Sequence, residues 1–118
     1  MEIEFYRKPD GSEPVVEFLD SLDHKMRAKM VRAIDLLEIH GTALRLPVSE
    51  NLGDGIMELR ASFGGNITRV LYFFIVGNKA VLTNGFIKKT QKTPSSEIAL
   101  SKKYREDYLR RGSNDNMG

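Results

Sequence analysis

Arg60 and Arg69 stand on two consecutive β-rich segments, and Lys88, Lys89 and Lys92 cluster where a third such segment ends. An arginine inside a run as apolar as Ile67-Thr68-Arg69-Val70-Leu71-Tyr72 is costly to bury alone, so it must pair or open to a cleft. Guanidinium groups grip phosphate oxygens with two parallel hydrogen bonds and lysines act as point charges, so the set suits a phosphodiester. Cutting RNA by attack of its own 2′-hydroxyl has three requirements. The hydroxyl must lose a proton, the pentacoordinate phosphorane must be stabilised, and the leaving 5′-oxygen must gain a proton. Arginine and lysine supply the second; Glu58, or a lysine able to lose its proton, could supply the first. The plain alternative is that Arg60 pairs with Glu58 or an acidic helix residue, and that the three lysines are a solvated strand end.

Other chemistries find less support. His24 and His40 fall at the two ends of one helical segment and read as ordinary helix-end residues. Glu50, Asp54 and Glu58 make a poor metal set among so many cations, so neither a metal site nor another cofactor is expected. There is no cysteine, and no histidine is placed near a serine, so a nucleophilic triad is unsupported.

The cationic residues need elements to hold them. Residues 2–6 alternate and read as a short edge strand, and Pro9-Asp10-Gly11-Ser12 is a turn with Ser12 a candidate cap for a first helix. Asp23 is a good N-cap for a second helix over 24–40, which Gly41 stops. Met26, Met30, Ile34 and Leu37 form its core stripe, and Lys25, Lys29 and Arg32 form a neighbouring stripe, either a solvated face or an RNA contact. Residues 42–55 look irregular. From Ile56 to Phe63, Met57, Leu59, Ala61 and Phe63 fall on one face, with Glu58 and Arg60 on the other. Gly64-Gly65-Asn66 turns the chain into a central strand over 67–76, and Gly77-Asn78 into a last strand over 79–87. Thr93-Pro94 looks like a helix start, Thr93 as cap, with the helix reaching about Arg111. The expected fold is α+β: an antiparallel sheet with helices packed on one face, and Glu58 and Arg60 on the open face.

The 118 residues suit one domain, taken as 1–111 with a flexible tail over 112–118. A hydrophobic fraction of 41% supports one modest core, and a charged fraction of 29% argues against a membrane or disordered chain. The acidic, alternating start Met1-Glu2-Ile3-Glu4-Phe5 is unlike a signal peptide, and the lack of cysteine fits a reducing, cytoplasmic setting. A net charge of +2 is too mild to indicate nucleic-acid binding by itself, so the placement of the charge matters more.

The segments LRLPVSENLGDGIMELR (44–60), TRVLYFF (68–74) and GFIKKTQKTP (85–94), in that order, resemble the RelE/ParE toxin superfamily and its phage-derived HigB-like branch. With the two-helix segment before them, the resemblance covers most of residues 1–111. It implies a RelE-like microbial ribonuclease fold and metal-independent cleavage of messenger RNA in the ribosomal A site, with translation inhibited and growth arrested. It also implies a cognate antitoxin with a helix-turn-helix domain, held with the toxin in a heterotetramer. By the same resemblance Arg69 matches the arginine that holds the scissile phosphate. Lys89 or Lys88 matches the basic residue that stabilises charge or protonates the leaving oxygen, and Arg60 matches a further basic position. Glu58 stands where RelE has lysine. Gln91, Lys92 and Thr93 stand where some members carry a tyrosine or histidine. A gyrase-poisoning toxin of the ParE kind shares the fold without the nuclease site, and a degenerate antitoxin-binding regulator is the other alternative.

Overall fold

The computed structural model describes residues 1–76, 78–88 and 92–117, with 113–117 as helix backbone. Its elements are β1 (Glu2–Phe5), α1 (Pro14–Ser21), α2 (His24–His40), a 3₁₀ turn (Gly41–Ala43), β2 (Ser49–Asn51), β3 (Met57–Phe63), β4 (Asn66–Ile75), β5 (Lys79–Lys88) and α3 (Ser95–Met117). The strands form one sheet in the order β1-β5-β4-β3-β2. Among the described residues no helix is long and apolar enough to cross a membrane.

The α+β class holds, with three departures in how it is built. First, β2 to β5 are antiparallel, but β1 runs parallel to β5, because the chain leaves β1 through the helices and returns at the far edge of the sheet. Second, β2 lies inside the stretch expected to be irregular and pairs Ser49, Glu50 and Asn51 with Leu59, Glu58 and Met57. Third, the helices do not share one face. Leu59, Val70, Tyr72 and Leu82 pack with Val15, Leu19, Met26, Met30, Ile34 and Leu37 of α1 and α2. Phe73 and Val81, whose side chains point the other way, pack with Tyr6 and with Tyr104 and Tyr108 of α3. A central strand that is apolar on both faces needs cover on both, and α3 covers the second.

Caps follow the sequence in part. Asp23 accepts a hydrogen bond from the Met26 N–H at 2.9 Å, and Gly41 closes α2 at φ 54°. α1 begins with Pro14 after Glu13, which makes no side-chain cap; Ser12 instead hydrogen-bonds Asp10 in the preceding turn. Thr93 does not cap α3, because its hydroxyl is engaged by Glu58 on the sheet. The helix also runs past Arg111 to Met117, since Gly112 does not take the left-handed conformation that would end it. Gly77, Lys89, Thr90, Gln91 and Gly118 lie outside the described residues.

A bulge fixes α3 over the sheet. Leu71 pairs with Asn84, but Tyr72 pairs with Leu82, leaving Thr83 as the extra residue. The Thr83 hydroxyl donates to the Leu71 carbonyl at 3.1 Å and shares a hydrogen bond with Ser101 of α3 at 2.7 Å. Tyr104 stacks on Tyr6 with ring centres 4.6 Å apart, and Tyr108 meets Phe73 edge-on at 5.8 Å.

On the other face Gly85 gives room to α1. A Cβ at Gly85 would sit 2.3 Å from Cδ2 of Phe18 and 2.7 Å from its Cε2. Gly85→Ala is therefore expected to force the Phe18 ring off the sheet and cost about 1–3 kcal/mol, read as a lowered midpoint in urea unfolding. An unchanged midpoint would contradict this packing.

Candidate active site

The register of β3 and β4 sets Arg60 directly opposite Arg69. Two like charges in that position repel, so an acid must come between them. Glu58 lies two residues before Arg60 on the same face of β3 and is fully buried, as is Arg69. Arg60 Nε donates to Glu58 Oε1 at 2.6 Å, and Arg69 Nη1 lies 3.8 Å from Glu58 Oε2. Thr93 joins them from the segment before α3: it donates to Glu58 Oε2 and accepts from Arg69 Nη1 at 3.2 Å. Glu50, opposite Glu58 on β2, accepts from Arg60 Nη2. The result is a continuous chain of groups, Glu50–Arg60–Glu58–Thr93–Arg69, in which two carboxylates balance two guanidiniums.

This chain underlies a cleft of about 470 Å³ lined by Glu50, Leu52, Arg60, Lys92, Thr93 and Ile98. Arg60 keeps 16% of its side chain exposed, while Glu58 and Arg69 keep none. One wall is strapped to α3 by the turn after β2, where Lys102 Nζ lies 2.7 Å from Asp54 Oδ2 and Arg105 donates to the Asp54 carbonyl at 2.5 Å. The Lys102 hydrogen bond holds the Asp54 carboxyl below the usual carboxylate range. Asp54 itself sits at φ 54°, flanked by Gly53 and Gly55 at φ 98° and 80°, the backbone such a tight turn requires. The first turn of α3 borders the other wall, and a helix N-terminus favours an anion beside it.

The expected site residues are thus only partly assembled. Arg60 and Glu58 come together, as their shared face requires, and Lys92 stands exposed on the rim. Arg69 pairs under the cleft rather than opening into it, because Thr93 and Glu58 supply the partners that its burial demands. Glu58 is sealed with both oxygens engaged, so it is not placed to take a proton from a ligand in the cleft. Lys88 is exposed at the end of β5, opposite Ile67, and does not line the cleft. Lys89 lies outside the described residues. Lys25, Lys29 and Arg32 are exposed on α2, across the sheet from the cleft; Lys25 and Lys29 hold their ammonium groups 5.9 and 5.6 Å from the Phe63 ring. Glu50 and Thr93 were missed as site residues: one lies in a strand too short to show alternation, the other precedes a proline and mimics a cap.

Two larger hollows of about 600 Å³ lie at the β1 edge, around Tyr6 and Arg111. The charges around Tyr6 and Asp107 satisfy one another. Tyr6 donates to Asp107 at 2.6 Å, and Arg110 and Arg111 pair with the same carboxylate. Burial, with Asp107 adding to it, pushes the Tyr6 phenol up to about 12, and the hydrogen bond to Glu4 pushes Lys79 up to about 12. Tyr6, Asp107 and Arg111 tie α3 to the segment after β1, and Lys79 ties β5 to β1 through Glu4, so these groups are committed to holding elements together and the Arg60 cleft is the better candidate for chemistry. Among the described residues, no three histidine or acidic side chains are grouped so as to hold a metal ion.

A search among curated proteins returns no significant match. The family model described as phage derived protein Gp49-like (DUF891) matches residues 17–106, a span that takes in every residue lining the cleft, and the chain belongs to that family.

Proposed function

We propose that this chain is the toxin of a toxin–antitoxin pair, a cytoplasmic endoribonuclease that cuts messenger RNA on the ribosome. The observation that carries the reading is a guanidinium, Arg60, clamped at two of its nitrogens on the floor of an open cleft with Lys92 on the rim. A phosphodiester entering the cleft meets Arg60 and Lys92 at its non-bridging oxygens, and the N-terminus of α3 adds favourable potential. The 2′-oxygen attacks phosphorus and gives its proton to water, the bond from phosphorus to the 5′-oxygen breaks, and that oxygen takes a proton from water, so the step forms one P–O bond, breaks another and is neutral in protons. Products are a 2′,3′-cyclic phosphate and a 5′-hydroxyl. Arg60 stabilises the charge that builds on the phosphorane. Arg69 and Thr93 act through Glu58 as positioning residues: they fix the carboxylate that aims Arg60. Membership of the Gp49-like family supports a toxin role, and the RelE/HigB-like segments support RNA as target, a helix-turn-helix antitoxin as partner and the ribosome as platform.

The neutralisation of Arg60 by Glu50 and Glu58 gives weight to a second reading, a member that binds its antitoxin or gyrase without cutting RNA. Expression without antitoxin in a bacterial host separates the two. The nuclease reading predicts growth arrest with truncated transcripts and no DNA-damage response. Arrest with intact transcripts and DNA damage, or harmless accumulation of folded protein, overturns it.

A further inference from the structure

Glu50 and Glu58 both bind Arg60, but they are not equivalent. Glu58 is buried and holds Arg60, Thr93 and Arg69 together. Glu50 keeps 36% of its side chain exposed, lines the cleft, and pairs with Arg60 through Nη2, whereas Glu58 takes Nε. It stands on β2, a three-residue strand at the edge of the sheet, hydrogen-bonded on one side only. A carboxylate oxygen accepts from a guanidinium N–H as a non-bridging phosphate oxygen does.

We infer that Glu50 is an internal mimic of the ligand phosphate: its carboxylate fills the subsite formed by Arg60 Nη2 and faced by Lys92, and a phosphodiester binds there by displacing it. The inference deepens the proposed function and rests on the cleft being a phosphodiester site. Glu58 stays in place during the exchange, because moving it would break its hydrogen bond to buried Thr93 and its pairing with buried Arg69. Glu50 moves at little cost, because its pair is partly solvated and an exposed ion pair is weak. The device keeps Arg60 aimed and compensated while the cleft is empty, and it sets a threshold that a lone anion passes less easily than a strand also held by Lys92.

The test is binding of a short 2′-O-methyl oligoribonucleotide, which presents phosphodiesters but no attacking hydroxyl, followed by fluorescence anisotropy. Glu50→Gln is expected to bind it about 2- to 5-fold more tightly than the wild type, the range an exposed ion pair allows. Glu50→Asp keeps the charge but is one methylene shorter, and is expected to tighten binding by a smaller factor. Glu38→Gln removes an equal charge from the exposed face of α2 and is expected to change binding far less. Affinity of Glu50→Gln equal to or weaker than the wild type, or an equal gain from Glu38→Gln, overturns the inference. Cleavage does not enter this readout. A wild-type chain that cuts no RNA, while Glu50→Gln still binds the oligonucleotide more tightly than wild type and Glu38→Gln, removes the nuclease reading and leaves the displaced carboxylate standing.

Discussion

Glu58→Ala is expected to lose about 3–5 kcal/mol of folding stability, the usual cost of deleting one partner from a buried ion pair. The loss comes from what remains. Arg69, with no exposed surface, loses its carboxylate and keeps Thr93, and Arg60 loses the acceptor on its Nε. A small domain holds only about 5–15 kcal/mol in total, so the variant sits near the edge of folding. Urea unfolding measures the effect, and a second substitution identifies its cause. If the cost is the buried charge left without its carboxylate, Glu58→Ala with Arg69→Met should recover part of it, since an apolar side chain of similar length suits a buried site opposite Phe86 on β5. A single variant within about 1 kcal/mol of wild type, or a double variant that loses the sum of the two single losses, would mean that the carboxylate does not hold the two arginines.

The second large effect concerns activity. Arg60→Lys keeps the charge but replaces a fork with a point, and one ammonium cannot hold Glu58 and Glu50 at the separate nitrogens that Nε and Nη2 now provide. Cleavage is expected to fall by about 10²- to 10³-fold, the cost of losing one preorganised donor to an oxyanion. Stability should change far less than in Glu58→Ala, because Glu58 retains Thr93 and Arg69. The loss should appear in kcat more than in KM, since the orientation of the guanidinium matters most when charge builds on the phosphorane. Cleavage within a factor of two of wild type would remove Arg60 from the chemistry.

The architecture is readable from the sequence where side chains repeat. Met26, Met30, Ile34 and Leu37 mark the buried stripe of α2, and the alternation from Met57 to Phe63 places Glu58 and Arg60 on the face away from α2. The run from Val70 to Phe73 is buried throughout, as a central strand should be. That same run hides which way Arg69 is served. A buried arginine between two covered faces either pairs or opens to solvent, and the outcome depends on Thr93, 24 residues later, whose position next to Pro94 disguises it as a helix cap. The second covered face was also legible in principle. Phe73 and Val81 alternate with Tyr72 and Leu82, and both sets need a partner layer; the tyrosines of α3 provide it. Glu50 was visible only as one acid of a poor metal set, because Ser49–Asn51 is too short to show a period and its role comes from the register with Glu58.

The reading of the cleft as a site for RNA is tested most directly by incubating the purified chain with translating ribosomes and mapping messenger RNA ends by primer extension, with Arg60→Lys in parallel. New 5′-hydroxyl ends within codons, formed only with ribosomes and nearly abolished in the variant, are the expected result. Intact messenger RNA with folded wild-type protein, or the same cuts at the same rate from Arg60→Lys, would contradict it.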